Sequence, residues 1–205
     1  MSDPHPPAKN RKKITCDPLH FSLSNTPPQN KSQSGNIEPA LALQGIGWVT
    51  RKAVSLATMT LNIKQFSAPP SPPADPSGAA VTHIEIDQTG TGGIKGTTEK
   101  RCLDFEFREH TDYLFGHVKG QSKFVEAGEV TDEFLKAGWL EEGEGKGPSG
   151  ESHVLNYVES LDNGWTATQV WGFKTVEGVR KYVRNVVIAK GGERVEIQLV
   201  YDFVA

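Results

Sequence analysis

Cysteine is almost absent from this 205-residue sequence: Cys16 and Cys102 are the whole supply. Two thiols cannot build a disulfide framework, and neither belongs to a Cys-x-x-Cys pair of the kind that holds zinc or runs redox chemistry. Both are read as free thiols. Long apolar runs are missing too. None approaches the roughly 20 residues that span a bilayer, and the opening MSDPHPPAKNRKK is polar, so the sequence reads as that of a cytoplasmic protein. Charge of one sign is not in excess either: a formal charge of -3 gives no electrostatic reason to expect a nucleic-acid partner. His83, His110, His117 and His153 lack the HxxxH or HExxH spacing of a metal site. GTGGIKGTT lacks the Gly-Lys-Ser/Thr order of a phosphate loop, because Lys95 precedes Gly96. Neither metal nor cofactor is expected.

What is present is alternation. Residues 1 to 35 are rich in Pro, Ser, Asn and Lys with one short apolar patch, LHFSLS, and read as a disordered tail with at best one poor strand. A single domain is expected over 36–205. Its Pro-rich stretch at 67–78 and its Gly-rich acidic stretch at 141–152 read as surface loops. Between them, apolar residues recur with period two. Met59, Leu61 and Ile63 form one such set, Ile84 and Ile86 another, and Leu103, Phe105 and Phe107 a third. DYLFGHVKG and QSKFVE follow, separated by Gly120. HVLNYVES, WTATQVWGFKT, VRKYVRNVVIAK and RVEIQLVYDFV come last, separated by Asp162-Asn163-Gly164, Glu177-Gly178 and Gly191-Gly192, which are hairpin signals. Nine strands after residue 57, with a doubtful tenth before it, predict a mainly β fold: an antiparallel up-and-down barrel, since closure removes exposed edges. Ahead of the first clear strand, Asn36 and Pro39 start one helix, Gly45 and Gly47 end it, and Trp48–Ala57 forms a second. Thr131 is placed to cap a further helical turn.

The segment GIGWVTRKAV, Gly45 to Val54, resembles the helix-turn-helix of intracellular fatty-acid-binding proteins, with Gly45, Gly47, the aromatic Trp48 and Thr50-Arg51-Lys52 in agreement. The order of elements is similar over residues 40–205. GGIKGTTE and LVYDFV also resemble pieces of small fungal proteins of this barrel type. The resemblance implies a ten-stranded calycin or lipocalin-like barrel around a cavity, with the two helices as a portal lid and an apolar ligand inside. Many members hold a carboxylate with Arg-x-Tyr on the last strand and another Arg two strands earlier. Here the motif reads Leu199-Val200-Tyr201, and Trp171 stands at or near the other arginine. A free fatty acid is therefore not the expected ligand, because a buried carboxylate without a cation is costly.

Strand parity gives a cavity wall. Trp165, Ala167, Gln169, Trp171 and Phe173 share one face, and Val195, Ile197, Leu199, Tyr201 and Phe203 share another. With Trp48, Asn156, Gln169, Trp171, Phe173, Leu199 and Tyr201 as contacts, the cavity suits a neutral apolar ligand oriented by Gln169. The alternative is a solid core. Arg180, Tyr182 and Arg184 share a face of VRKYVRN; inward, Tyr182 and Arg184 would join the ligand contacts, and outward, the reading preferred here, they form a solvated stripe. The acidic run DFEFREHTD is expected to face water, not to catalyse.

The favoured expectation is a monomeric, non-enzymatic carrier of a small hydrophobic ligand. Arg51 and Lys52 on its lid would make transient contact with an anionic membrane surface. The alternative is an isomerase or cyclase acting on an apolar biosynthetic intermediate in the same pocket, by restraint and one or two hydrogen bonds. A filled barrel acting as an interaction module is the third reading.

Overall fold

The computed structural model describes residues 28–93, 95–141 and 146–202. The LHFSLS patch, Cys16 and Phe203 lie outside them. Two short helices, α1 (Glu38–Leu43) and α2 (Trp48–Leu56), precede nine antiparallel strands. Three strands make one sheet in sequence order: β1 (Met59–Ala68), β2 (Val81–Gly90) and β3 (Lys95–Cys102). Six make the other, also in order: β4 (Arg108–Asp112), β5 (Gly116–Val125), β6 (His153–Ser160), β7 (Thr166–Val176), β8 (Val179–Lys190) and β9 (Glu193–Tyr201).

The meander is as expected, but among the described residues the nine strands form two sheets and not a closed ring; the doubtful tenth strand falls on LHFSLS, outside them. After Cys102 the alternation of LDFEF does not continue as strand. Asp104 accepts from the Glu106 N–H and pairs with Arg108, Phe105 takes a positive φ of 60°, and the chain turns before β4. β3 and β4 are therefore not hydrogen-bonded neighbours. On the opposite side, the chain at Pro28 and Gln29, within the segment read as a disordered tail, forms single bridges to Thr60 of β1 and Tyr201 of β9, stitching the two sheets. Asn30 and Gly35 continue along β9, donating to the Val200 and Gln198 carbonyls.

Two further readings are corrected. DYLFGHVKG and QSKFVE are not two strands: Gly120 lies inside β5, where a Cβ would meet the Tyr157 carbonyl at 3.3 Å. Thr131 does not cap a helix. Asp132 does, its carboxylate accepting from the Phe134 and Leu135 N–H groups of α3 (Glu133–Lys136). The hairpin signals hold: Glu177 and Gly178 both take positive φ between β7 and β8, as do Gly191 and Gly192 between β8 and β9.

The excursion at 127–141 folds over the outer face of the six-stranded sheet and creates a second apolar layer. Leu135, Val130 and Trp139 pack there against Val170 and Val187. Gly172 permits this, since a Cβ at that position would lie 2.5 Å from His153 Nδ1 and 3.2 Å from the Trp139 ring. Lys174 is caught beneath the same cover at 6% exposure, its Nζ 4.3 Å from the Trp139 ring centroid. Burial pulls its pKa down to about 8. A lysine whose folded pKa is depressed penalises the fold while the pH is below that value, and the penalty fades as pH rises from about 8 towards the unfolded value near 10.5. Lys174→Met is expected to stabilise the protein at pH 7 by about 1–2 kcal/mol after allowance for the cation–π contact, with the gain shrinking above pH 8. Thermal melts of both proteins at pH 7 and 9.5 check this.

Candidate functional site

Between the sheets the interior is divided. At one end it is solid: Leu61, Ile63, Ile84 and Ile86 of the smaller sheet pack against Val154, Trp171, Tyr182 and Tyr201 of the larger, with Phe124 and Phe173 alongside. At the other end is a cavity of about 230 Å³. Its wall is largely apolar, with Val158, Trp165, Ala167, Val186, Ile188 and Ile197 from the large sheet. Ala40 and Leu41 of α1, with Gln44 at its C-cap, are buried over it as a cover. The hollow and the packed core were alternatives in the sequence; the fold contains both.

Charge collects where the two ends meet. The register of β8 against β9 pairs Arg184 with Leu199 and Tyr182 with Tyr201, so these side chains turn inward with the face of β9 that bounds the interior. The outward stripe is thus corrected: Arg184 is 4% exposed and Tyr182 7%, while Arg180, nearer the β7–β8 turn, is exposed with its guanidinium over the Phe173 ring. The guanidinium of Arg184 lies 4.3 Å from the Trp171 ring centroid, and its Nη1 reaches Glu99 Oε1 at 3.5 Å. Glu99 enters from β3 and also accepts from Arg101 at 3.0 Å and Gln88 at 2.5 Å. Nε and Nη2 of Arg184 are buried without an aligned hydrogen-bond partner, the Tyr182 phenol adjoining the guanidinium and favouring its charge without satisfying them.

The titration of this cluster follows from its burial. Desolvation works against the Glu99 carboxylate, yet the charges of Arg184 and Arg101 outweigh it and hold its pKa below the usual carboxylate value. Desolvation likewise opposes the Arg184 charge, and Glu99 more than restores it, so this residue stays cationic. Burial pushes the Tyr201 phenol up to about 12 and raises Tyr182, so both remain protonated at neutral pH. His110 also lines the cavity; burial first, then Arg101, lowers its pKa and favours the neutral ring.

Of the residues singled out from the sequence, Gln169, Arg184, Leu199 and Tyr201 line the cavity. Gln169 Oε1 accepts from Trp171 Nε1 at 3.1 Å, which fixes the amide orientation. Trp171, Phe173 and Tyr182 belong to the solid end. Asn156 is buried in the β5–β6 pairing, donating to Gln121 O and Ser122 Oγ. Trp48 is 63% exposed and does not line the cavity, which α2 reaches through Val54 instead. Arg51 is occupied by Glu38 and the Ile46 carbonyl, holding the helices together. The sequence missed Glu99, Arg101 and His110. Of the DFEFREHTD run expected to face water, Glu106, Glu109 and His110 are exposed, while His110 and the half-buried Asp112 also line the cavity. The inference that the interior lacks a cation is overturned by Arg184, which supplies one from a strand the family motif does not use.

The site is therefore a ligand-sized pocket in a two-sheet β fold, apolar over most of its wall and cationic at its floor. Among the described residues no helix is long and apolar enough to cross a membrane, and no cluster of His, Cys, Asp and Glu could hold a metal ion. The sequence matches no protein-family profile. It is 29% identical over 194 residues to the probable pericyclase scpY of Mollisia scopiformis, an alignment covering 93% of this chain and 96% of that protein. It is 29% identical over 166 residues to the pericyclase pydY of Acremonium sp, covering 81% and 83%. Among solved structures, fatty-acid-binding protein 1 of Echinococcus granulosus aligns with 88% of this chain and 96% of its own, at 15% identity and a TM-score of 0.49. Secretory abundant heat soluble protein 4 of Ramazzottius varieornatus aligns with 88% and 94%, at 8% identity and a TM-score of 0.49.

Proposed function

We propose that the chain is a cyclase of the pericyclase type, which folds an apolar, unsaturated substrate inside the cavity and promotes ring closure without cofactor or metal. The observation that carries this reading is Arg184: a buried cation with two N–H positions that make no hydrogen bond, in a pocket whose wall is mostly apolar and whose polar side chains gather around Glu99 and Arg101. The names borne by the two relatives, aligned along most of their length, support the enzyme alternative over the carrier. A pericyclic ring closure moves bonding electrons round a closed loop and adds or removes no atoms, so it needs no nucleophile and no obligatory base. What it needs is restraint of a flexible chain, and apolar walls that bind the folded conformer provide it. A carbonyl conjugated to the reacting double bond accepts a hydrogen bond from Arg184, which stabilises the charge that builds on its oxygen in the transition state. Glu99 and the Trp171 face hold the guanidinium in place. Gln169, with its amide oriented by Trp171, stands on the next inward position of β7 to present a second donor.

The reaction predicts its own assay. Purified protein is added to extracts of the source organism lacking the gene, with heat-denatured protein as control. The expected result is conversion of an accumulated compound into an isomer of identical mass with a diminished ultraviolet chromophore. A compound that is bound and recovered unchanged supports the carrier instead.

A further inference from the structure

We infer that the substrate carries a second oxygen acceptor, remote from the carbonyl at Arg184, and that Trp165 Nε1 reads it; this rests on the cavity being the substrate site. Trp165 is 2% exposed and its indole N–H is buried with no hydrogen-bond partner. Its surroundings explain why. Phe115 stands edge-on at 5.9 Å, and Ala40, Val118, Val158, Ala167 and Ile188 pack in the same apolar cluster. An unmade hydrogen bond at a buried donor costs stability, and a phenylalanine would fill most of this space without that cost. An indole is useful here if a ligand oxygen meets it.

The fold sets the two donors far apart. Trp165 precedes the first residue of β7, whereas Arg184 is paired with Trp171 further along the same strand. Six residues of strand separate their backbone positions by about 20 Å at roughly 3.3 Å per residue, before the reach of the two side chains is counted. Trp165 lies at the α1-covered end and Arg184 at the charged floor, and both line the same cavity. The ligand class that satisfies both is an elongated, neutral hydrocarbon with one oxygen function at each end, the distal one a hydroxyl, ether or carbonyl. An apolar chain with a single polar head leaves the indole orphaned.

The test compares 1-decanol with 1,10-decanediol by calorimetry on the wild-type protein and Trp165→Phe. The variant is expected to weaken the diol about fivefold, the worth of one neutral hydrogen bond, and to leave the mono-alcohol within about twofold. In ¹⁵N-indole-labelled wild-type protein, the cross-peak missing from Trp165→Phe should move further with the diol than with the mono-alcohol. Equal losses for the two alcohols, equal movement of that peak, or no binding of either would overturn the inference. The isomer-forming assay judges the cyclase reading separately, because it does not depend on either alcohol.

Discussion

Arg184→Met is expected to slow ring closure about a hundredfold, the usual consequence of removing a preorganised donor from a developing oxyanion. Methionine fills much of the arginine volume against Trp171, and Glu99 keeps Arg101 and Gln88 as partners. The fold should therefore persist, with an unchanged far-ultraviolet circular dichroism spectrum. Because the interaction strengthens in the transition state, the loss should appear in kcat more than in KM. Arg184→Lys is not a conservative rescue: an ammonium presents a point charge where the guanidinium presents a planar fork with its orientation set by Glu99 and the indole face. A KM effect alone would assign Arg184 to binding, as the carrier reading requires.

The second large effect is on stability. Glu99→Leu leaves the buried Arg184 charge without its carboxylate, and breaking such a pair from one side costs about 3 kcal/mol. For a chain of this size that is a fall of about 6–12 °C in Tm. Replacing both partners removes the Arg184 charge and leaves only Arg101 without its carboxylate, so Glu99→Leu/Arg184→Met is expected to recover part of the loss. The acid limb carries the same signature. The Glu99 pKa is lowered on folding, so its contribution is fully present above the unfolded value of about 4.5 and is lost as pH falls through the lower folded value. Wild type should lose stability through that window, and Glu99→Leu should lose less. Denaturant unfolding of the three proteins at pH 7 and pH 3.5 checks both statements. Additive losses in the double variant would show that the two residues do not act as a pair.

How much of this was legible in the sequence depends on what carried the information. The last four strands were readable because their turns are local: Glu177-Gly178 and Gly191-Gly192 require positive φ, and the residues say so. The inward turn of Arg184 was legible too. A two-residue turn at Gly191-Gly192 pairs Lys190 with Glu193 and hence Arg184 with Leu199, so placing Leu199 inward fixes Arg184 inward. The apolar run Val186-Val187-Ile188 likewise signals a strand buried on both faces, which the 127–141 cover produces. Glu99 carried no such signal. On β3 it reads as an ordinary surface carboxylate, and only the approach of two sheets, joined by no strand at that side, brings it to Arg184. The same long-range geometry decides where alternation ends at Leu103, where Asp104 and Arg108 favour a turn over a longer strand.

The central claim is that Arg184 hydrogen-bonds a carbonyl inside the cavity, and infrared difference spectroscopy of bound 2-decanone reads that bond directly. The account predicts a carbonyl stretch at lower frequency in the wild-type protein than in Arg184→Met. The same frequency in both proteins would contradict it.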